Sequence, residues 1–167
     1  GVQLFGLLAS NPGLLNLLAV VMGTAPRLAD IVTARPHVLD ALLDPAFFGR
    51  LPDRATLEAR LEALLDGAEA IEEVMDRVRI FGKEQSFLIG VRVLAGTVAA
   101  RAAGFAYADL AELLLGTLLD HVRRAFEAAH GRMKHGRIAL VAMGKLGGRE
   151  MTAASDLDLI LLYDFDE

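Results

Sequence analysis

The sequence predicts a mainly α protein: a helical bundle over residues 1–130, then the first two strands of an incomplete α+β domain over 131–167. Three observations carry this. Apolar residues recur at helical spacing through most of the first 130 positions, punctuated by Pro, Gly, Asn and Asp. The character of the chain changes at 131–137, a short basic stretch that marks the boundary. Beyond it lie two apolar runs of strand length, 138–143 and 157–163, bounded by glycine and polar residues and read as buried strands.

The elements follow in order. Asn11 is a good cap for a helix opening at Pro12, and Gly23 stops it. Thr24 is read as the cap of a second helix over 25–34, which must end before Pro36. Pro36 opens a third, 37–43, closed by Asp44-Pro45, with Leu39, Leu42 and Leu43 on one face. Pro52-Asp53 starts the next. There Leu57, Leu61, Leu64 and Leu65 form a stripe opposite Glu58, Arg60 and Glu62. None of these short helices stands alone in water, so they must pack on one another.

After Gly67 a long helical stretch is expected over 68–101, with Ile71, Val74, Met75, Val78, Phe81, Gln85, Leu88 and Arg92 along one face. Gly82, Gly90 and Gly96 each weaken it by about 1 kcal/mol relative to Ala and suit close helix contact or a bend. Residues 102–107 read as a loop around Gly104. A last helix then runs from near Asp109 to His130, with Leu110, Leu113, Leu114, Leu118, His121 and Val122 inward. Met22 and Met75 are expected to fill core volume. Arg77, Arg79, Arg92 and Arg101 are expected to pair with Glu72, Glu73 and Glu84, with anion binding as the alternative.

Composition narrows the classes of function. Apolar residues make up 54% of 167, enough for a core, and mean hydropathy is +0.42. No charge occurs before Arg27, but Ser10-Asn11-Pro12-Gly13 divides that segment into pieces too short to span a bilayer. No membrane role and no signal peptide are expected. A net charge of −5 argues against a nucleic-acid surface, and the absence of cysteine fits a cytoplasmic protein. His37, His121, His130 and His135 lack ligand spacing. The chain opens on Gly1 and stops just after its acidic motif, so a fragment is expected.

The chemistry concentrates in 138–166. Residues two apart on a strand share a face, so Asp156 and Asp158 project together. Paired carboxylates repel unless a cation sits between them, and Mg2+ suits carboxylate, water and phosphate oxygens. Gly144, Gly147 and Gly148 supply backbone able to approach a phosphate closely. Together these point to metal-assisted phosphoryl or nucleotidyl transfer. Lys145 is a candidate phosphate contact, and Ser155 bonds the loop or the nucleotide.

The string Met143-Gly144-Lys145-Leu146-Gly147-Gly148-Arg149-Glu150, then Ser155-Asp156-Leu157-Asp158-Leu159, resembles the nucleotidyltransferase superfamily that includes DNA polymerase beta. More particularly, it is similar to the glutamine synthetase adenylyltransferases, which add AMP to that enzyme and remove it. Asn11-Pro12, Ala34-Arg35-Pro36 and Leu39-Asp40-Ala41-Leu42-Leu43-Asp44-Pro45 are similar to the helices before the second catalytic copy in that family. Gly144-Lys145 stands where the wider superfamily has Gly-Gly or Gly-Ser.

The resemblance implies ATP as substrate, Mg2+ on Asp156 and Asp158, a nucleotide held by Gly144, Lys145, Gly147, Gly148 and Ser155, and transfer to a tyrosine of glutamine synthetase. It also implies signal input from the PII regulatory protein and glutamine. A third carboxylate on a later strand is implied too. Asp164 cannot supply it, lying roughly 20 Å from Asp158 along an extended strand. The alternatives are a non-catalytic helical docking module, or a related nucleotidyltransferase such as a uridylyltransferase.

Overall fold

The computed structural model describes residues 12–132 and 135–165; the Asn11 cap and Asp166 lie outside them. Helix α1 (Pro12–Thr24) and α2 (Pro26–Ala34) are followed by two 3₁₀ segments, Pro36–Leu43 and Pro45–Phe48. Then come α3 (Arg54–Leu65), α4 (Ile71–Leu94), α5 (Ala100–His130), strand β1 (Arg137–Ala142), a one-turn helix α6 (Gly144–Gly147) and strand β2 (Leu159–Asp164). The mainly helical chain with a two-stranded sheet behind it is as expected.

Helix α4 is the spine. One side of it (Val74, Val78, Phe81, Ile89) packs with Leu57 and Leu61 of α3 and with Tyr107, Ala108, Leu110 and Leu113 of α5. The other side, through Phe87 and Val91, both 0% exposed, meets Leu18, Val21, Leu28, Val38, Leu39 and Phe47. A helix buried on two sides shows no single apolar stripe. Each large side chain buried there contributes roughly 1.5–3 kcal/mol.

Two glycines of α4 let its neighbours approach. A Cβ on Gly82 would stand 2.7 Å from Leu114 Cδ1, and one on Gly90 would stand 2.8 Å from Leu28 Cδ1 and 3.1 Å from the Tyr107 hydroxyl. That hydroxyl donates to Ser86 O at 3.2 Å, and burial pushes its pKa up to about 12. Gly96 does the third job. At φ 72° it ends α4, and Thr97 and Val98 turn back to donate their N–H groups to Arg92 O.

That break corrects the sequence reading at both ends. The expected helix over 68–101 stops at Leu94, and the expected loop at 102–107 lies inside α5. Gly104 looked like a loop residue because nothing local explains a glycine there. Its reason is tertiary: the backbone of Arg149, Glu150 and Met151 crosses α5 at that point, 3.4–3.6 Å from where a Cβ would stand.

Smaller corrections are partly local and partly tertiary. Thr24 donates to Val20 O at 2.7 Å within its own helix, and Ala25, without a side-chain bond, caps α2. Met22, Met75 and Val122 are exposed, at 53%, 50% and 46%. Arg77 does pair with Glu73, but Arg79 takes Asp76, while Glu84 serves Arg35 and His37. Arg92 pairs with no carboxylate among the described residues.

Asp53 performs as expected at the start of α3, accepting from Thr56 N at 2.9 Å. Hydrogen bonding with the Thr56 side chain, and then with its N–H, lowers the Asp53 pKa below the ordinary 3.8. A depressed carboxyl pKa stabilises the fold above the unfolded value, and the benefit is lost as pH falls through the folded value. Asp53→Ala is therefore expected to lower the unfolding temperature at pH 6, with the gap from the original protein closing below about pH 4. A gap that persists undiminished at pH 2 would show that the carboxylate's charge is not what stabilises the cap.

Among the described residues α5 alone is long and apolar enough to cross a membrane; α1 and α2 reach that measure only together, and they are bent by 117°. Its apolar side from Ala103 to Leu113 is spent on α4 and α3.

Candidate nucleotide site

The two strands pair antiparallel, Arg137 opposite Asp164 and Ala142 opposite Leu159. One further bond, Met143 N to Asp158 O at 2.9 Å, carries the pairing to the mouth of the hairpin. β2 thus begins two residues later than expected, and residues 155–157 lead into it without strand pairing of their own. All six β2 positions are exposed and β1 is mostly so, where buried strands were expected. A continuous apolar run is the signature of a strand covered on both faces, and the described residues cover neither.

At the mouth, Gly144 adopts φ 52° and the chain turns into α6. A Cβ at Gly144 would collide with Asp158 Oδ2, so the carboxylate lies directly against the glycine backbone. Only glycine meets both demands. Gly147 is equally constrained, because a Cβ there would stand 2.6 Å from Ala142 O. The turn closes with Gly147 N to Met143 O at 2.9 Å, Gly148 N to Gly144 O at 3.0 Å and Glu150 N to Lys145 O at 2.9 Å.

A second turn sets up the acids. Thr152 N donates to Ser155 Oγ at 2.9 Å, and Ser155 N donates to Thr152 O at 3.1 Å. Ser155 bonds the loop, one of its two expected roles. Asp156 and Asp158 are exposed, and neither makes an ion pair among the described residues. Lys145 is exposed as well. Asp164, by contrast, is tied to Arg137 at the far end of the hairpin.

The turn is fastened to the helices. Leu146, 1% exposed, and Met151, 7%, complete the core that α3, α4 and α5 build. Between them Arg149, at φ 56°, forks onto α5, with Nη2 on Asp109 and Nη1 on Glu112 Oε1 at 2.7 Å. Arg54 of α3 reaches the other oxygen of Glu112 at 3.5 Å. Hydrogen bonding to Asp109 holds the Arg149 guanidinium above its usual pKa. Partly exposed pairs of this kind contribute only about 0–1 kcal/mol each. Their importance is positional.

Sequence reading missed these anchors. Asp109 and Glu112, three apart on one helix face, are an available signal for a cationic partner, but nothing local says that it comes 37–40 residues later.

Two exposed carboxylates without a cationic neighbour fit Mg2+, which commonly takes one or two carboxylates and fills its octahedron with water and substrate phosphate. No group of three or more His, Cys, Asp or Glu gathers among the described residues.

A glycine-bearing turn at the mouth of a hairpin, with an acid before the returning strand laid against it, is what the resemblance of residues 143–159 to the nucleotidyltransferase class leads one to expect. Comparison with known proteins carries this to the family. Residues 15–167 match the family described as glutamate-ammonia ligase adenylyltransferase, and the chain belongs to it.

Among curated relatives, the bifunctional glutamine synthetase adenylyltransferase/adenylyl-removing enzyme of Brucella suis is 57% identical over 167 residues, all of this chain. The enzyme of the same name from Mesorhizobium japonicum is 58% identical over 166 residues, 99% of this chain, and that from Rhizobium meliloti 51% over 167. The chain spans 17% of the length of each of these relatives.

Proposed function

We propose that this chain is the helical support and opening hairpin of the AMP-transferring site in a bifunctional glutamine synthetase adenylyltransferase/adenylyl-removing enzyme. In the parent protein that site moves AMP from ATP to a tyrosine of glutamine synthetase, in the cytoplasm, under the influence of the PII protein. The observation that carries this reading is the Asp158 carboxylate lying on Gly144 in a turn anchored to α5.

Asp156 and Asp158 hold Mg2+, and Gly144, Lys145, Gly147 and Gly148 receive the triphosphate. Bound there, the ion supplies positive charge that polarises the α-phosphate and favours ionisation of the attacking hydroxyl. Ser155 fixes the turn from which Asp156 projects. Arg149, Leu146 and Met151 keep the turn in place, so little ordering is left for the moment of transfer.

Full-length protein carrying Asp156→Asn is expected to need about tenfold or more Mg2+ for half-maximal AMP transfer, because one charged ligand becomes neutral. An unchanged Mg2+ requirement would favour a second reading, a docking module without catalysis. That reading draws on the exposed apolar hairpin.

A further inference from the structure

The turn that bears the glycines carries two cations, Lys145 and Arg149, and the fold treats them oppositely. Lys145 is exposed and forms no ion pair among the described residues. Arg149 commits its guanidinium to α5. Nη2 donates to Asp109 Oδ1 and Nη1 to Glu112 Oε1 at 2.7 Å, and the group stands 5.7 Å from the centre of the Phe105 ring on the same helix. Its backbone leans there too, the Arg149 carbonyl oxygen lying 3.4 Å from where a Cβ on Gly104 would stand.

The backbone of Arg149 is the second observation. It holds φ 56°, in the left-handed region, whereas neither Gly147 nor Gly148 has a positive φ. Past Gly144, the turn thus carries an arginine at the position whose backbone would suit glycine. A long side chain keeps that conformation only where its surroundings impose it. Asp109 and Glu112 supply the imposition, and Arg54 of α3 steadies Glu112 from its other oxygen at 3.5 Å.

We infer that Arg149 is a positioning residue for AMP transfer: it does not touch the nucleotide, but sets how the phosphate-facing glycines stand relative to Asp156 and Asp158. This rests on the nucleotide-site reading above. Arg149 follows Gly148 directly and opens the segment that joins the glycines to the acids. Lys145 is left as the cation of the turn that a triphosphate can use.

The leverage of Arg149 is local. Its side chain is 36% exposed and those of Asp109 and Glu112 are 39% and 37%, so solvent screens both pairs and they add little to global stability. Leu146 and Met151 keep the turn on the core without them. What the fork changes is the share of time that glycines and acids spend in the reacting alignment. That is felt in rate, while the glycine backbone still receives ATP.

Steady-state AMP transfer by the full-length protein, with ATP varied and the unfolding temperature recorded, tests the inference. Arg149→Gly accepts the left-handed backbone and removes only the fork. It is expected to lower kcat about tenfold, with KM for ATP within about threefold of the original and little change in unfolding temperature. Asp109→Asn combined with Glu112→Gln leaves the turn's own residues in place and is expected to lose about the same tenfold in kcat. Adding Arg149→Gly to that pair is expected to cost less than about a further twofold, because groups acting as one unit are not additive. A KM for ATP that rises as kcat falls overturns the inference, since Arg149 would then hold the nucleotide. So does a carboxamide pair within threefold of the original kcat, or a full second loss in the triple variant. Asp158→Asn measured alongside separates two failures. Lost transfer there, with normal transfer in the Arg149 and α5 variants, overturns the role of Arg149 alone; full transfer there overturns the nucleotide-site reading beneath it.

Discussion

Full-length protein carrying Asp158→Asn is expected to keep its fold and lose about a hundredfold or more of its AMP transfer. Asparagine has the shape of aspartate, so contact with Gly144 survives, as does the backbone bond from Met143 N to residue 158. What goes is the negative charge. A metal ligand acting on transition-state charge contributes several kcal/mol, and about 3 kcal/mol corresponds to two powers of ten in rate. Transfer of labelled AMP to glutamine synthetase, read beside a thermal unfolding curve, separates the two effects. A variant within threefold of the original rate would remove Asp158 from the chemistry. One that unfolds early would show that the carboxylate serves the turn instead.

Leu146→Ala is expected to cost about 2–5 kcal/mol of stability, the range for emptying a closed apolar site. Leu146 is 1% exposed although it lies in a four-residue helix between two glycines. It belongs to the core of α3, α4 and α5, so the cavity opens beneath the turn. The denaturant midpoint should fall with an unchanged slope. Leu146→Met, nearly equal in volume, should cost under about 1.5 kcal/mol. A Leu146→Ala variant as stable as the original would mean that the turn is not seated on the helices as the packing indicates.

Much of this arrangement is legible in the residues. Pro12, Pro26 and Pro36 open helical segments, Asp53 caps another, and Gly131 closes α5. These are local signals, and local signals survive folding. The glycine of the turn is legible too, because Gly144 takes φ 52°, a local demand that glycine meets. The larger failures are long-range. Gly104 reads as a breaker until Glu150 is seen crossing it, and nothing local gives Arg149 the partners it finds in Asp109 and Glu112. Met75 fits the helical period, but the face it occupies borders an open groove of about 960 Å³. Spacing tells which residues share a side; it does not tell which sides find a neighbour.

The fastening of the turn also sets an order of local opening. Residues 144–151 draw on the interior that supports α3, α4 and α5, while among the described residues the ladder joining 137–142 to 159–164 touches that interior only at its Ala142 end. Cooperative units follow such contacts and ignore element labels. Amide protons of the glycine turn should exchange with those of the long helices, and those of the strands should exchange sooner. Asp158, at the junction, takes its backbone bond from one unit and its carboxylate's resting place from the other.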